Sequence, residues 1–235
     1  MALPKLNDTP KYDLVIPSTN EKVRFRPYLV KEEKVLMMSI EAQDTQKALQ
    51  AIVDTIEACV QDDLPTNRLT TFDIEYMFTQ IRSKSVGETS TVSVECKECK
   101  KPIELTIPLS DIKVDIDPKI SYSIQLTDTI SLKMKWPSYK DLIDLNIAES
   151  TDIADSFKVI AKCIESVQTP EENISMKDES DEEISNFIDS LTTDQFDKLR
   201  QFVEAMPKLE HIVQVECPHC KHKEERILTG INNFF

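Results

Sequence analysis

The feature that most constrains this chain is a motif that it carries twice. Val92-Ser93-Val94-Glu95-Cys96-Lys97-Glu98-Cys99-Lys100 returns as Val213-Gln214-Val215-Glu216-Cys217-Pro218-His219-Cys220-Lys221, with Val-x-Val-Glu-Cys-x-x-Cys-Lys held in both. Each copy runs from a segment alternating in the two-residue period of a half-buried strand into a C-x-x-C turn. Each leaves through a second such segment, Ile103-Glu104-Leu105-Thr106-Ile107 in the first copy and Glu225-Arg226-Ile227-Leu228 in the second. Two β-hairpins with paired thiols at their tips are expected. The 117 residues separating Cys99 from Cys217 must then be an insertion whose ends return to one place.

The spacing has a chemical reason. Two residues between cysteines let a tight turn aim both thiolates at one ion, while turn amides donate hydrogen bonds to the sulfurs. One knuckle supplies half of a tetrahedral shell and the other completes it. Cys96, Cys99, Cys217 and Cys220 are therefore expected to form a four-cysteine zinc ribbon, with Zn2+ structural because a closed shell leaves no position for substrate. Three readings compete with this one. A redox C-x-x-C sits at the start of a helix, where the dipole lowers a thiol pKa, whereas these pairs lie between strands. His211, His219 or His222 could replace one cysteine, although four cysteines already fill the shell. A nucleic-acid ribbon is suggested by Lys97, Lys100, Lys101, Lys221 and Lys223 around the tips. Glu98, Glu104, Glu224 and Glu225 dilute that patch, and neither tip carries an aromatic residue to stack a base.

Around the motif the chain reads as mixed helix and strand. Tyr12-Asp13-Leu14-Val15-Ile16-Pro17 and Lys22-Val23-Arg24-Phe25-Arg26 flank a turn at Ser18-Thr19-Asn20 as a hairpin would, and a helix begins at Lys31 after Pro27. Leu49, Ile52, Val53, Ile56 and Val60 mark a second helix, with Cys59 as a core thiol. Thr70 and Asp73 cap a third, whose stripe is Ile74, Met77, Phe78 and Ile81, and Ser83 to Glu88 reads as the loop into the strands. Beyond the first knuckle, residues 121–126 and 130–136 alternate as another strand pair, and Ser138 with Asp141 caps a helix through Leu142, Ile143 and Leu145. Ile153, Phe157, Ile160, Ala161 and Ile164 form the next stripe, with Cys163 inside it as a buried or half-buried thiol. From Thr169 to Glu183 there are seven acids and one lysine, so that stretch is expected to be a solvated loop; the central glycine and regular spacing of a calcium loop are missing. Thr192 and Gln195 open a last helix bearing Phe196, Leu199, Phe202, Val203 and Met206, ended by Pro207.

The fold class expected is α+β: an N-terminal hairpin and helical unit over 1–88, a split zinc ribbon from 89–107 and 208–235, and an inserted α+β unit over 108–207 with an acidic loop at 169–183. Composition removes several functions. Gly87 and Gly230 are the only glycines in 235 residues, and phosphate-cradling loops need several within one turn. Forty-two acidic against 28 basic residues give a formal charge of −14, a field that repels phosphate backbones and anionic lipid. No stretch approaches the ~18 consecutive apolar residues of a membrane span, and Met1 to Asp8 lacks the apolar segment of a signal peptide. A cytoplasmic protein with reduced thiols is expected, without a membrane or small-molecule substrate.

The linear order also carries a resemblance. Phe25-Arg26-Pro27-Tyr28-Leu29-Val30-Lys31-Glu32-Glu33-Lys34, the stretches Phe72 to Tyr76 and Ile81 to Gly87, the two knuckles, Met206-Pro207 and the ending Gly230-Ile231-Asn232-Asn233-Phe234-Phe235 resemble the baseplate hub subunit and assembly family of T4-like contractile-tailed bacteriophages. The resemblance implies a non-enzymatic structural or assembly protein of the tail baseplate hub, whose partners are other hub proteins. It would act in the cytoplasm of the infected bacterial host during assembly, or reside in the virion baseplate. The alternative is a zinc-ribbon nucleic-acid-binding regulator. Two segments are candidate partner contacts: the terminal aromatics Phe234 and Phe235, and the basic group Arg24, Arg26, Lys31 and Lys34, which suits an acidic partner.

Overall fold

The computed structural model describes residues 9–42, 44–145 and 153–231; Phe234 and Phe235 lie outside them. Helices and strands are mixed along the chain. It divides into two compact units, Met1–Ile116 with Lys208–Phe235, and Asp117–Pro207.

The first unit opens with β1 (Tyr12–Val15) antiparallel to β2 (Lys22–Phe25), Leu14 opposite Val23. Leu14, Ile16, Val23 and Phe25 are all buried. Helix α1 (Val30–Glu41) buries Leu36 on one side and leaves Val30, Met37 and Met38 exposed on the other. Asp44 caps α2 (Thr45–Cys59), which buries Val53, Ile56 and Cys59 but also Ala51 and Thr55. Val60 lies just past the helix end, bridged to Phe25.

Helix α3 (Thr71–Ser85) starts at a reciprocal capping box between Thr70 and Asp73, and its four stripe residues are buried. Asp73 is wholly buried and accepts four hydrogen bonds, from the backbone N–H and hydroxyl of Ser18 (2.9 and 2.6 Å) and of Thr70 (3.0 and 2.6 Å). One carboxylate thus fastens the β1–β2 turn to the helix N-terminus. The helix takes in Ser83 to Ser85, which the sequence reading placed in a loop. Their polarity misleads because Ser83 and Ser85 donate back to the carbonyls of Gln80 and Ile81 instead of breaking the helix. Then β3 (Thr89–Glu95) pairs with β4 (Pro102–Pro108), Val92 opposite Leu105 and Val94 opposite Ile103. A two-residue strand, β5 (Lys113–Val114), follows.

The second unit comprises β6 (Ser123–Gln125), β7 (Ser131–Met134), α4 (Tyr139–Asp144), α5 (Ile153–Cys163), β8 (Ile164–Gln168), β9 (Asn173–Ser175), α6 (Asp181–Asp189) and α7 (Thr193–Glu204). Its strands form one antiparallel sheet in the order β6-β7-β8-β9. Trp136 stacks on Phe202 at 4.1 Å and donates its indole N–H to the Tyr122 hydroxyl at 3.1 Å.

Two expectations are corrected in this unit. Ile164 opens β8 opposite Met134 rather than extending the helical stripe. The acidic stretch 169–183 is not a loop throughout: Ile174 pairs with Val167 in the sheet, Met176 is buried, and Ser180 with Glu183 forms a capping box that starts α6. The acids Asp181, Glu182 and Glu183 fall in the first turn of α6, where the helix dipole favours them.

The chain re-enters the first unit as β10 (Leu209–Glu216), which pairs with β11 (Lys223–Thr229) on one side and β5 on the other. Residues 109–116 belong to this unit, because Leu109 and Ile112 are buried with Ile107, Leu209 and Leu228 in one apolar cluster. Val92, Val213 and Tyr76 pack against it, so the cluster gathers both hairpins and α3.

Candidate metal centre

The two knuckles are built alike. The Cys96 N–H donates to the Lys101 carbonyl (2.9 Å) and Lys100 N–H to the Cys96 carbonyl (3.0 Å). The second copy repeats this with Cys217 to His222 (2.8 Å) and Lys221 to Cys217 (2.9 Å). Lys100 and Lys221 both take the left-handed conformation, with φ of 59° and 64°. Neither is glycine, so each turn holds a strain of about 1–2 kcal/mol against its own hydrogen bonds.

These turns bring all four sulfurs within 4.8 Å of one another. The separation across the hairpins is 3.7 Å for Cys96–Cys220 and 3.6 Å for Cys99–Cys217. Both are far beyond the ~2.05 Å of a disulfide, and all four cysteines are free thiols. Tetrahedral geometry with Zn–S bonds of ~2.3 Å puts sulfurs about 3.8 Å apart, so the two separations across the hairpins are compatible with a four-thiolate metal site. Cys96 and Cys217 are buried, Cys99 is half-buried and Cys220 is exposed. The cluster consists of the four sulfurs alone; His219 is exposed, His222 is half-buried, and neither is part of it. Among the described residues no other group of ligating side chains is gathered in this way.

The local electrostatics fit a cation. Amides of Cys99 and Glu98 donate to the Cys96 sulfur and hold its pKa below the usual thiol value. Burial alone would raise Cys217, but the Cys220 and His219 amides bring it down to about 6. Cys220 receives the His222 amide and is nevertheless pushed up to about 12 by the sulfurs of Cys217, Cys99 and Cys96 beside it. Four like charges this close cannot all form unaided, and a dication at their centre removes the conflict.

Beneath the sulfurs, Cys96, Ile103, Val215 and Cys217 form a small apolar cluster joined by Val94, Leu105 and Val213. A polar link crosses the hairpins beside it. Arg226 on β11 donates to the Glu95 carbonyl at the end of β3 and to the Glu224 carboxylate (2.8 and 3.0 Å), which also meets Lys97 at 3.3 Å. Glu224 diluted a basic patch in the sequence reading; its position opposite Lys97 became visible only once the hairpins were brought together.

The other candidate residues lie elsewhere. Arg26 is directed inward, donating to Glu32 and the Ala58 carbonyl (both 2.8 Å) and to the Pro27 carbonyl (2.9 Å), with 15% of its side chain exposed. Lys31 also reaches Glu32, at 3.2 Å, and Arg24 pairs with Asp62 at 3.9 Å. Lys34 is exposed on α1. Arg26 is thus withdrawn from the surface, while Arg24, Lys31 and Lys34 are exposed. Cys59 and Cys163 are core thiols, pushed by burial to about 11 and about 12.

The chain is a mixed helix-and-sheet protein in which two C-x-x-C hairpins gather four free cysteines, with a second unit of helices and strands between them in the sequence. The family described as T4 bacteriophage base plate protein matches residues 9–235, and the chain belongs to it. The baseplate hub assembly protein gp26 of Enterobacteria phage T4 is 21% identical over 180 residues, which cover 77% of this chain and 79% of that protein. No solved structure matches the chain. Among the described residues no helix is long and apolar enough to cross a membrane.

Proposed function

We propose that the chain is a non-enzymatic structural or assembly protein of the phage tail baseplate hub, acting through contacts with other hub proteins, in the infected host cytoplasm during assembly. Family membership across residues 9–235 carries this reading. Cys96, Cys99, Cys217 and Cys220 hold a structural Zn2+ in a four-cysteine ribbon, the role that suits sulfurs 3.6–3.7 Å apart across two hairpins. When bound, the ion supplies a closed shell that joins two hairpins distant in sequence and offers no site for chemistry. The knuckle amides orient the sulfurs, and the apolar cluster below shields those of Cys96 and Cys217 from water. A non-enzymatic role is supported by the family, described as base plate proteins; Cys59 and Cys163 are left as core residues, since burial raises both thiols and makes them poor nucleophiles.

Affinity capture of the full chain from infected cells, followed by mass spectrometry, tests the assembly role. Baseplate proteins should be recovered, and deleting Phe234 and Phe235 should reduce their recovery while leaving zinc content unchanged if those aromatics are a contact. Recovery of no baseplate component, together with nucleic-acid binding that weakens steeply with salt, would replace this reading with the nucleic-acid regulator.

A further inference from the structure

The two knuckles are nearly identical in sequence, but the strands that leave them are not. Counted from the second cysteine of each pair, Ile103 and Leu105 in the first hairpin occupy the places of Glu224 and Arg226 in the second. One half of the ribbon is apolar at these places, and the other is an ion pair sheltered from solvent, with 9% of the Glu224 side chain and 18% of Arg226 exposed. Groups so placed incur desolvation unless they are well paired. Both contacts that the pair makes with the first hairpin fall on residues next to Cys96. Arg226 bonds the carbonyl of Glu95, the residue before Cys96, and Glu224 meets Lys97, the residue after it. Side chains of β11 therefore meet both neighbours of the first cysteine of the first knuckle, the backbone of Glu95 on one side and the ammonium of Lys97 on the other.

We infer that Glu224 and Arg226 are positioning residues of the four-cysteine site: they lock Cys96 onto the second hairpin, so that both halves of the donor set are aligned before the ion arrives. The inference rests on the reading that these cysteines bind metal. Groups behind the ligands of a metal site typically contribute tenfold to a hundredfold in affinity, because they remove the freedom the ligands would otherwise lose on binding.

Co2+ titration of the full-length reduced protein tests it, since tetrahedral thiolate coordination gives cobalt intense visible and near-ultraviolet bands. Glu224→Gln, which keeps the shape, and Arg226→Leu should each weaken Co2+ binding by about tenfold or more, with the tetrahedral spectrum recovered at saturation. Ile56→Val, in the helical core, should lower the melting temperature without changing Co2+ affinity, separating positioning from general stability. Arg226→Lys should not restore affinity, because one ammonium cannot reproduce the planar fork that reaches both the carboxylate and the carbonyl. Wild-type cobalt binding with affinities unchanged in both Glu224→Gln and Arg226→Leu overturns the positioning role alone. A wild-type chain that takes up no cobalt overturns the metal reading and the positioning role with it.

Discussion

Replacing Cys217 by serine should make the protein behave, in the presence of zinc, as the wild type behaves in chelator. Serine at this position still accepts the Cys220 and His219 amides that Cys217 accepts, so the knuckle turn is preserved and what disappears is a ligand. An ion held at 100 to 1,000 times its dissociation constant stabilises the folded chain by about 2.7–4.1 kcal/mol. At about 2–4 °C per kcal/mol for a chain of this size, the melting temperature should fall by roughly 5–16 °C. Cys59→Ala, which opens a gap beside Arg26 and the β2 end, costs about 1–3 kcal/mol as a core truncation. The two ranges overlap, so a single melting temperature cannot distinguish ligand from core cysteine; the response to chelator can. Scanning calorimetry with and without chelator, paired with elemental analysis, should give about one zinc per wild-type chain, a chelator-dependent fall for wild type and Cys59→Ala, and none for Cys217→Ser. Calorimetry is preferable to fluorescence here, because the sole tryptophan, Trp136, lies in the second unit. A wild-type transition indifferent to chelator, with no zinc present, would refute the metal reading; a Cys217→Ser variant that keeps the chelator-dependent increment would refute this residue's part in it.

Glu75 on α3 is raised to about 7 by burial, against the Ile231 N–H that it accepts. Its folded pKa lies above the unfolded 4.5, so the folded state binds the extra proton and stability falls as pH rises from about 4.5 through 7, by ~3 kcal/mol at most. Glu75→Gln should flatten that slope in urea titrations across this range and be the more stable protein at pH 8; an unaltered slope would show that Glu75 is not its source. Asp73→Ala should cost roughly 3–5 kcal/mol, since it removes the reciprocal half of the capping box and leaves the Ser18 and Thr70 backbone donors without their acceptor. Urea unfolding measures this, and a loss within the range of an ordinary surface substitution would mean that water or a neighbouring group replaces the carboxylate.

What was legible in the sequence was what a few neighbouring residues decide. The capping boxes at Thr70/Asp73, Ser138/Asp141 and Thr192/Gln195 close over three residues, and all three helices start there. The same signal at Ser180/Glu183 was overlooked because the acidic composition around it argued for solvation, although acids are favoured in a first helical turn. Ile164 could not be assigned locally: four residues after Ile160 it satisfies the helical period, and only its pairing with Met134 makes it a strand. Two-residue β5 has no local signature either, being defined by β10 from across the insertion. That the four cysteines come together was legible from their spacing alone. Their link to Glu224 and Arg226 was not, because it joins Glu95 to a residue 131 positions away.

Strand β5 also bears on how much the ion has to do. The chain leaves the first unit just after Val114 and re-enters at Leu209, and these two residues are paired in one sheet, as are Lys113 and Glu210. The insertion is therefore closed at its base by backbone hydrogen bonds over the Ile107, Leu109, Ile112, Leu209 and Leu228 cluster, and an ion held by the four gathered sulfurs would close it again at the tips. Two closures of one loop share its entropic cost, so losing the ion should loosen the tips and spare the base. Hydrogen exchange on the metal-free chain should then accelerate at the knuckle amides of 96–101 and 217–222, where protection depends on turns strained at Lys100 and Lys221, and change little at 113–114 and 209–210. Uniform acceleration over both regions would mean that the ion, and not the β5–β10 pairing, holds the insertion closed.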